Sequence, residues 1–179
     1  MEAARDLKKS LTRAMVYNYD NTGYLPHDEL SRLVTYQKIR TALQDAALTQ
    51  WVCDHACKIF AILVMIDAIE RIRDCKTQGF TDENLPILSK FDRLATRAVG
   101  EEHMFHFEIL QWPFLSPILT TQDMDIENIP VVYAKTPLPF KPKDHYTAGG
   151  FSNVYKCQIQ PGGLQATEVS TWLSRSCCR

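Results

Sequence analysis

The order of apolar and polar positions divides the chain into a helical part, a stretch without period, and a closing hairpin. From residue 2 to 17, Leu7, Leu11, Ala14 and Met15 recur at helical spacing while Lys8, Lys9 and Arg13 fall elsewhere, which predicts an amphipathic helix. "NYDNTGYLP" breaks that period with turn-forming Asn, Asp, Gly and Pro. "HDELSRLV" predicts a short helix. Thr35 is placed to cap the next one, "YQKIRTALQDAAL", in which Ile39 and Leu43 share a face. The strongest signal runs from about Gln50 to Lys76. There Trp51, Val52, Ile59, Phe60, Leu63, Ile66, Ile69 and Ile72 form a wide apolar face, and the middle is apolar all round, so one central buried helix is expected. Gly79 stands where a left-handed cap residue would end it. Thr81 can cap a short helix whose positive end favours Asp82 and Glu83.

"GEEHMFHFEILQW" predicts a further helix, stopped by Pro113 and Pro117. Residues 120–143 are proline-spaced and lack helical period, the texture of an extended linker with a short strand at "PVVYA". A β-hairpin is expected from Asp144 to Gln160. The fold class is therefore mainly α: a helical bundle over 1–119, a linker over 120–143, a C-terminal β-hairpin over 144–161 and an irregular tail over 162–179.

With 45% apolar residues, the 179-residue chain has enough to build a core. Twenty basic and twenty-one acidic side chains leave a net charge of −1, which gives no overall attraction to nucleic acid or an anionic membrane; neither is expected as a partner. The longest apolar run, Ile59 to Ile66, is far short of the about twenty residues that span a bilayer. "MEAARDLKKSLTRAM" lacks the apolar core of a signal peptide, and six cysteines without a framework spacing fit a reducing compartment. The expectation is an intracellular protein, cytoplasmic or nuclear. "SCCR" is not a prenylation box.

Two constellations could hold a metal. Asn18, Asp20, Thr22, Gly23 and Glu29 fall at EF-hand positions 1, 3, 5, 6 and 12, with Leu25 at the apolar position 8. Against calcium, only two carboxylates would face the ion, Pro26 stiffens position 9, and the competing reading is a polar turn before a helix. Cys53 and Cys57, one helical turn apart, together with His103 and His106, have the donor types of a tetrahedral zinc site. The competing reading is that these cysteines are small buried hydrophobes. Phe105, Phe107, Trp112 and Phe114 read as core. Arg5, Lys8, Lys9 and Arg13 read as a solvated helix face, or else a contact for an acidic partner. No Ser-His-Asp or Cys-His pairing stands in a signature context.

"YTAGGFSNVYKCQI", Tyr146 to Ile159, carries the most specific pattern. It resembles the glycine-rich loop between the first two strands of a protein-kinase small lobe, G-x-G-x-x-G-x-V. Thr147, Gly149 and Ser152 occupy the three glycine positions and Val154 the valine position, and "GGFSNVYK" is similar to kinase loops in which serine replaces the third glycine. "YLPHDELSRLVTYQKIRTAL", "KIFAILVMI", "GFTDENLPI" and "FEILQWPFLSPIL" resemble, in the same order, the helical region preceding the catalytic domain in a group of fungal protein-kinase-like proteins. The likeness covers roughly residues 20–160. It implies that Gly149, Gly150, Phe151, Ser152 and Val154 cover the phosphates and adenine of ATP, with magnesium, where the kinase domain is complete, and that such a parent phosphorylates Ser or Thr in proteins. The final "PGGLQATEVSTWLSRSCCR" departs from the pattern: it has no lysine, and neither H-R-D nor D-F-G occurs. An abrupt change of this kind is what a truncated or frame-shifted reading produces. The expectation is a non-catalytic amino-terminal segment, binding no cofactor itself, with a regulatory or partner-binding helical region. The alternative is a fragment of an active Ser/Thr kinase.

Overall fold

The computed structural model describes residues 2–89, 91–119, 132–148 and 153–159, with the backbone alone over 142–148 and 153–158. Helix α1 (Glu2–Ala14) buries Leu7 and Leu11 and turns its charged residues outward, as its spacing predicts. It ends three residues earlier than expected. Val16–Tyr17 (β1) instead pairs antiparallel with Gly23–Tyr24 (β2), with Val16 opposite Tyr24. The cause lies in the turn between them. Asn18 Oδ1 accepts from the N–H groups of Asp20 (3.2 Å) and Thr22 (2.9 Å), which closes the loop and draws the two short strands together.

Helix α2 (His27–Leu33) follows Pro26, and α3 (Tyr36–Leu43) starts at Thr35, whose hydroxyl accepts from the Lys38 N–H as expected. The predicted helix through Leu48 is divided. Gln44 is left-handed at φ 53°, and Asp45 Oδ1 accepts from the Leu48 N–H at 3.0 Å, capping a new helix, α4 (Ala46–His55).

The single central helix expected from Gln50 to Lys76 is also corrected. It is three helices: α4, α5 (Cys57–Met65) and α6 (Ile72–Gln78), with a 3-10 turn at Ile69–Arg71. A 108° bend separates α4 from α5 at Ala56. There the Lys58 N–H donates to Asp82 Oδ2 and the Ile59 N–H to Asp82 Oδ1, each at 2.9 Å. A carboxylate 24 residues away thus satisfies the free donors of a new helix start. Helix α5 ends with Asp67 left-handed at φ 58°, and the Ala68 N–H reaches back to the Leu63 carbonyl at 2.9 Å, a Schellman closure with aspartate in the usual glycine slot. The all-round apolar reading holds for α5 itself. Ile59, Phe60, Ala61, Ile62 and Leu63 are wholly buried, and the other helices pack around them.

Gly79 ends α6 in the left-handed region, as expected, and Thr81 with Asn84 forms a capping box on the 3-10 turn Asp82–Asn84. Helix α7 (Arg93–Val99), capped by Asp92, carries too weak a periodic signal to have been singled out in the sequence. Helix α8 (Glu101–Leu110) runs into a 3-10 turn at Trp112–Phe114, where Pro113 stops it. Among the expected core aromatics, Phe107, Trp112 and Phe114 are buried, whereas Phe105 is exposed.

Of "PVVYA", Pro130 and Val131 lie outside the described residues. Val132 and Tyr133 are not strand; a turn closed by Thr136 N–H and the Tyr133 carbonyl takes their place. Strand β3 (Phe140–Ala148) begins four residues before the expected hairpin and pairs antiparallel with β4 (Asn153–Ile159). Its register slips after Pro142, which has no N–H for the ladder. The described residues are thus mainly helical, with two small antiparallel sheets among them. Among the described residues no single helix is long and apolar enough to cross a membrane. Together α4 and α5 have the length and composition, but the sharp bend lies between them.

Candidate functional site

Four buried side-chain polar atoms among the described residues have no hydrogen-bond partner: Asn18 Nδ2, Tyr24 Oη, Trp112 Nε1 and Ser116 Oγ. They come from two segments that meet. Asn18 and Tyr24 belong to the β1–β2 hairpin, while Trp112 and Ser116 flank Pro113, whose carbonyl accepts from the Leu25 N–H at 2.8 Å. Buried polar groups in native proteins are almost always paired, so this junction stands out.

Beside it lies a cleft of about 230 Å³, lined by Leu25, His27, Leu30, Lys58, Phe114, Leu115, Ser116, Pro117 and Ile118. Local chain geometry places each wall. Pro26 directs the chain from β2 into α2 and sets His27 at its first position. The bend at Ala56 brings Lys58 in at the start of α5. The 3-10 turn presents Phe114, and the chain beyond it supplies residues 115–118. Lys58 is the single fully charged residue on the lining, and no carboxylate lines it. Burial pushes the Asp82 carboxyl upward, while the amides of Lys58 and Ile59 and the Lys58 charge pull it back. Burial pushes the Tyr24 hydroxyl up to about 12, with the charge of Asp28 adding to it. Ser116 Oγ has no partner among the described residues.

Of the residues singled out in the sequence, Leu25, Phe114 and Pro117 line the cleft. Gly149, Gly150, Phe151 and Ser152 lie outside the described residues. Val154 is in β4, opposite Thr147 in the register. Of the calcium set, Asn18 Oδ1 is bonded to two backbone amides, Asp20 Oδ1 accepts from the Thr22 N–H at 3.0 Å, and Glu29 is paired with Arg32 in α2. The segment is flanked by β1 and β2 rather than directly by helices, and it caps its own turn. Cys53 and Cys57 are on different helices across the 108° bend, which removes the shared helical face. Burial, then the charge of Asp82, pushes the Cys57 thiol up to about 12, disfavouring the thiolate that a metal needs. His106 sits edge-on against Phe105, and His103 faces Glu102. No group of three or more His, Cys, Asp or Glu among the described residues is arranged to hold a metal ion. In the basic cluster, Lys8 pairs with Asp67 and Lys9 with Asp6.

Sequence reasoning missed the cleft. Its polar residues, His27, Lys58 and Ser116, are far apart in the chain and belong to no motif; the one signal was a lysine opening an otherwise apolar run. Comparison of the chain with protein-family models, curated proteins and solved structures finds no match in any of the three.

Proposed function

We propose that this chain is a non-catalytic helical module that carries a hairpin of the protein-kinase small-lobe type and acts by binding or regulating a protein partner. One observation carries the reading: the segment leading into the hairpin is seated on the helical region. The Tyr19 N–H donates to the Phe140 carbonyl at 2.9 Å, and Phe140 is buried. Lys135 lies 3.6 Å from Glu108 and over the ring of Trp112, which also meets Tyr133 edge-on. Such fastening supports a helical region that holds the hairpin in place rather than trailing from it.

The second reading, the front of an active Ser/Thr kinase, draws on the antiparallel register that sets Thr147 opposite Val154 around "GGFS". In that case Gly149, Gly150, Phe151, Ser152 and Val154 cover ATP, with magnesium on the phosphates. Thermal unfolding with rising Mg-ATP separates the two. The module reading expects no shift of Tm. A Tm that climbs with Mg-ATP and stays flat when Gly149 and Gly150 are changed to Val would favour the kinase reading and overturn the first.

A further inference from the structure

We propose that residues 133–140, "YAKTPLPF", are the internal occupant of a peptide seat on the helical region, and that a partner carrying Pro-x-Pro followed by an aromatic residue takes the same seat. The inference rests on the partner-binding reading above and says what that partner presents. Pro137, Pro139 and Phe140 are buried, yet Pro137, Leu138 and Pro139 belong to no helix or strand. The segment is held at both ends. At its start Tyr133 meets the Trp112 ring edge-on, and the Lys135 ammonium lies over the same ring, 5.7 Å from its centroid. At its end the Phe140 carbonyl accepts from the Tyr19 N–H.

Three features make this segment exchangeable. It lies outside the core: among the described residues the continuous apolar cluster of the helices takes in nothing beyond Phe114, and Trp112 and Phe140 are buried apart from it. Its backbone offers little to a ladder, since proline has no N–H and the amides of Thr136 and Phe140 are used within the segment, on the Tyr133 and Leu138 carbonyls. Segments of this kind dock their rings on aromatic surfaces at low ordering cost, so another chain with the same spacing can replace them. The fit is also imperfect. Trp112 Nε1 and Asn18 Nδ2, beside the two ends of the segment, are buried without partners among the described residues, a cost that an incoming carbonyl in reach of either would remove. Glu108, 3.6 Å from Lys135, favours a basic residue two positions before the first proline of the partner. Phe140 opens β3, so a partner in the seat unfastens the hairpin from the helical region.

The test is an NMR titration of the full chain with a synthetic peptide of residues 133–141, read at the Trp112 indole N–H and the Tyr19 amide. In the wild type the peptide competes with the internal segment. Phe140→Ala weakens that competitor, so the variant should bind the peptide at least about tenfold more tightly than the wild type, the factor that burying one phenylalanine is worth. A peptide with both prolines and the phenylalanine replaced by alanine should bind neither chain. Equal affinity of variant and wild type, equal binding of the alanine peptide, or no saturable shift at Trp112 up to millimolar peptide would overturn the proposal. So would a doubled mass of the wild-type chain in sedimentation, because the segment would then be seated on a second copy. Should Phe140→Ala fail to fold, the comparison of the two peptides on the wild-type chain decides alone. The readout is at Trp112 rather than at residues 149–154, so this test and the Mg-ATP melt can fail independently of each other.

Discussion

Gln111 offers the sharpest test of how the helical region is held together. Its side chain is wholly buried, and its amide is bonded to both backbone groups of Ile87: the Ile87 N–H donates to Oε1 and Nε2 donates to the Ile87 carbonyl, each at 2.7 Å. The amide thus takes the place of a neighbouring strand and fixes the irregular stretch after the 3-10 turn against the end of α8. Gln111→Leu keeps the approximate volume and removes both partners. Ile87 is 2% exposed, so water cannot substitute. Two orphaned buried groups cost about 1–3 kcal/mol each. The added apolar burial offsets on the order of 1–2 kcal/mol. Combining the mid-range values gives an expected net loss of about 2–3 kcal/mol, a large share of a domain stability of about 5–15 kcal/mol. Urea unfolding followed by tryptophan fluorescence and circular dichroism measures it. A loss under about 1 kcal/mol at unchanged m would refute the clamp. Gln111→Glu adds a check on sign. The carboxylate retains an acceptor for the Ile87 N–H but faces the Ile87 carbonyl, which raises its pKa in the folded state. The folded form then binds the proton more readily, so this variant should gain stability as pH falls from 7 towards 5. A loss over that range would contradict the geometry.

Three further outcomes follow from the same structure. Asp82→Ala removes the distant cap of α5 and should cost about 2–3 kcal/mol in urea, with α5 amides losing hydrogen-exchange protection first; unchanged protection would count against the capping role. Gly100 has φ 90°, and a Cβ there would stand 2.6 Å from Glu102 Oε1 and 2.9 Å from Arg71 Cζ, whereas Gly79 at φ 68° has open space. Gly100→Ala should therefore lower Tm clearly more than Gly79→Ala, whose penalty is conformational alone at about 1 kcal/mol; the reverse order in a melting scan would be decisive against this. The Leu48 amide and then Arg73 hold the Asp45 carboxyl below the usual carboxylate range. Its stabilisation is present above the unfolded value near pH 4 and lost as pH falls through the lower folded value, so Asp45→Asn should flatten the acid limb of a stability–pH curve. An unaltered limb would show that Asp45 does not contribute.

What the sequence reveals and what it hides divide along a physical line. Thr35, Gly79 and Thr81 were readable because each acts on residues within one turn of itself. The division of the expected Gln50–Lys76 helix was not, because Ala56 is a good helix former and the carboxylate that opens α5 comes from Asp82. Asp67 hid the second break, since its left-handed conformation is usually glycine's. The turn at Asn18 has the donor spacing of a calcium loop and uses its oxygens on its own amides, so spacing alone could not separate the two. The cleft was not legible beyond the lysine that opens the apolar run, because Leu25, Lys58 and Ser116 meet only through tertiary packing.

The distant cap on α5 also bears on how the protein is made. The most apolar run of the chain, Ile59 to Ile66, leaves the ribosome sixteen residues before Asp82. At about 5–20 residues per second, that is an interval of about one to three seconds. Throughout it, the start of the helix lacks its carboxylate and the run lacks most of its neighbours. The segment that becomes the centre of the protein is, during synthesis, the one most in need of a chaperone.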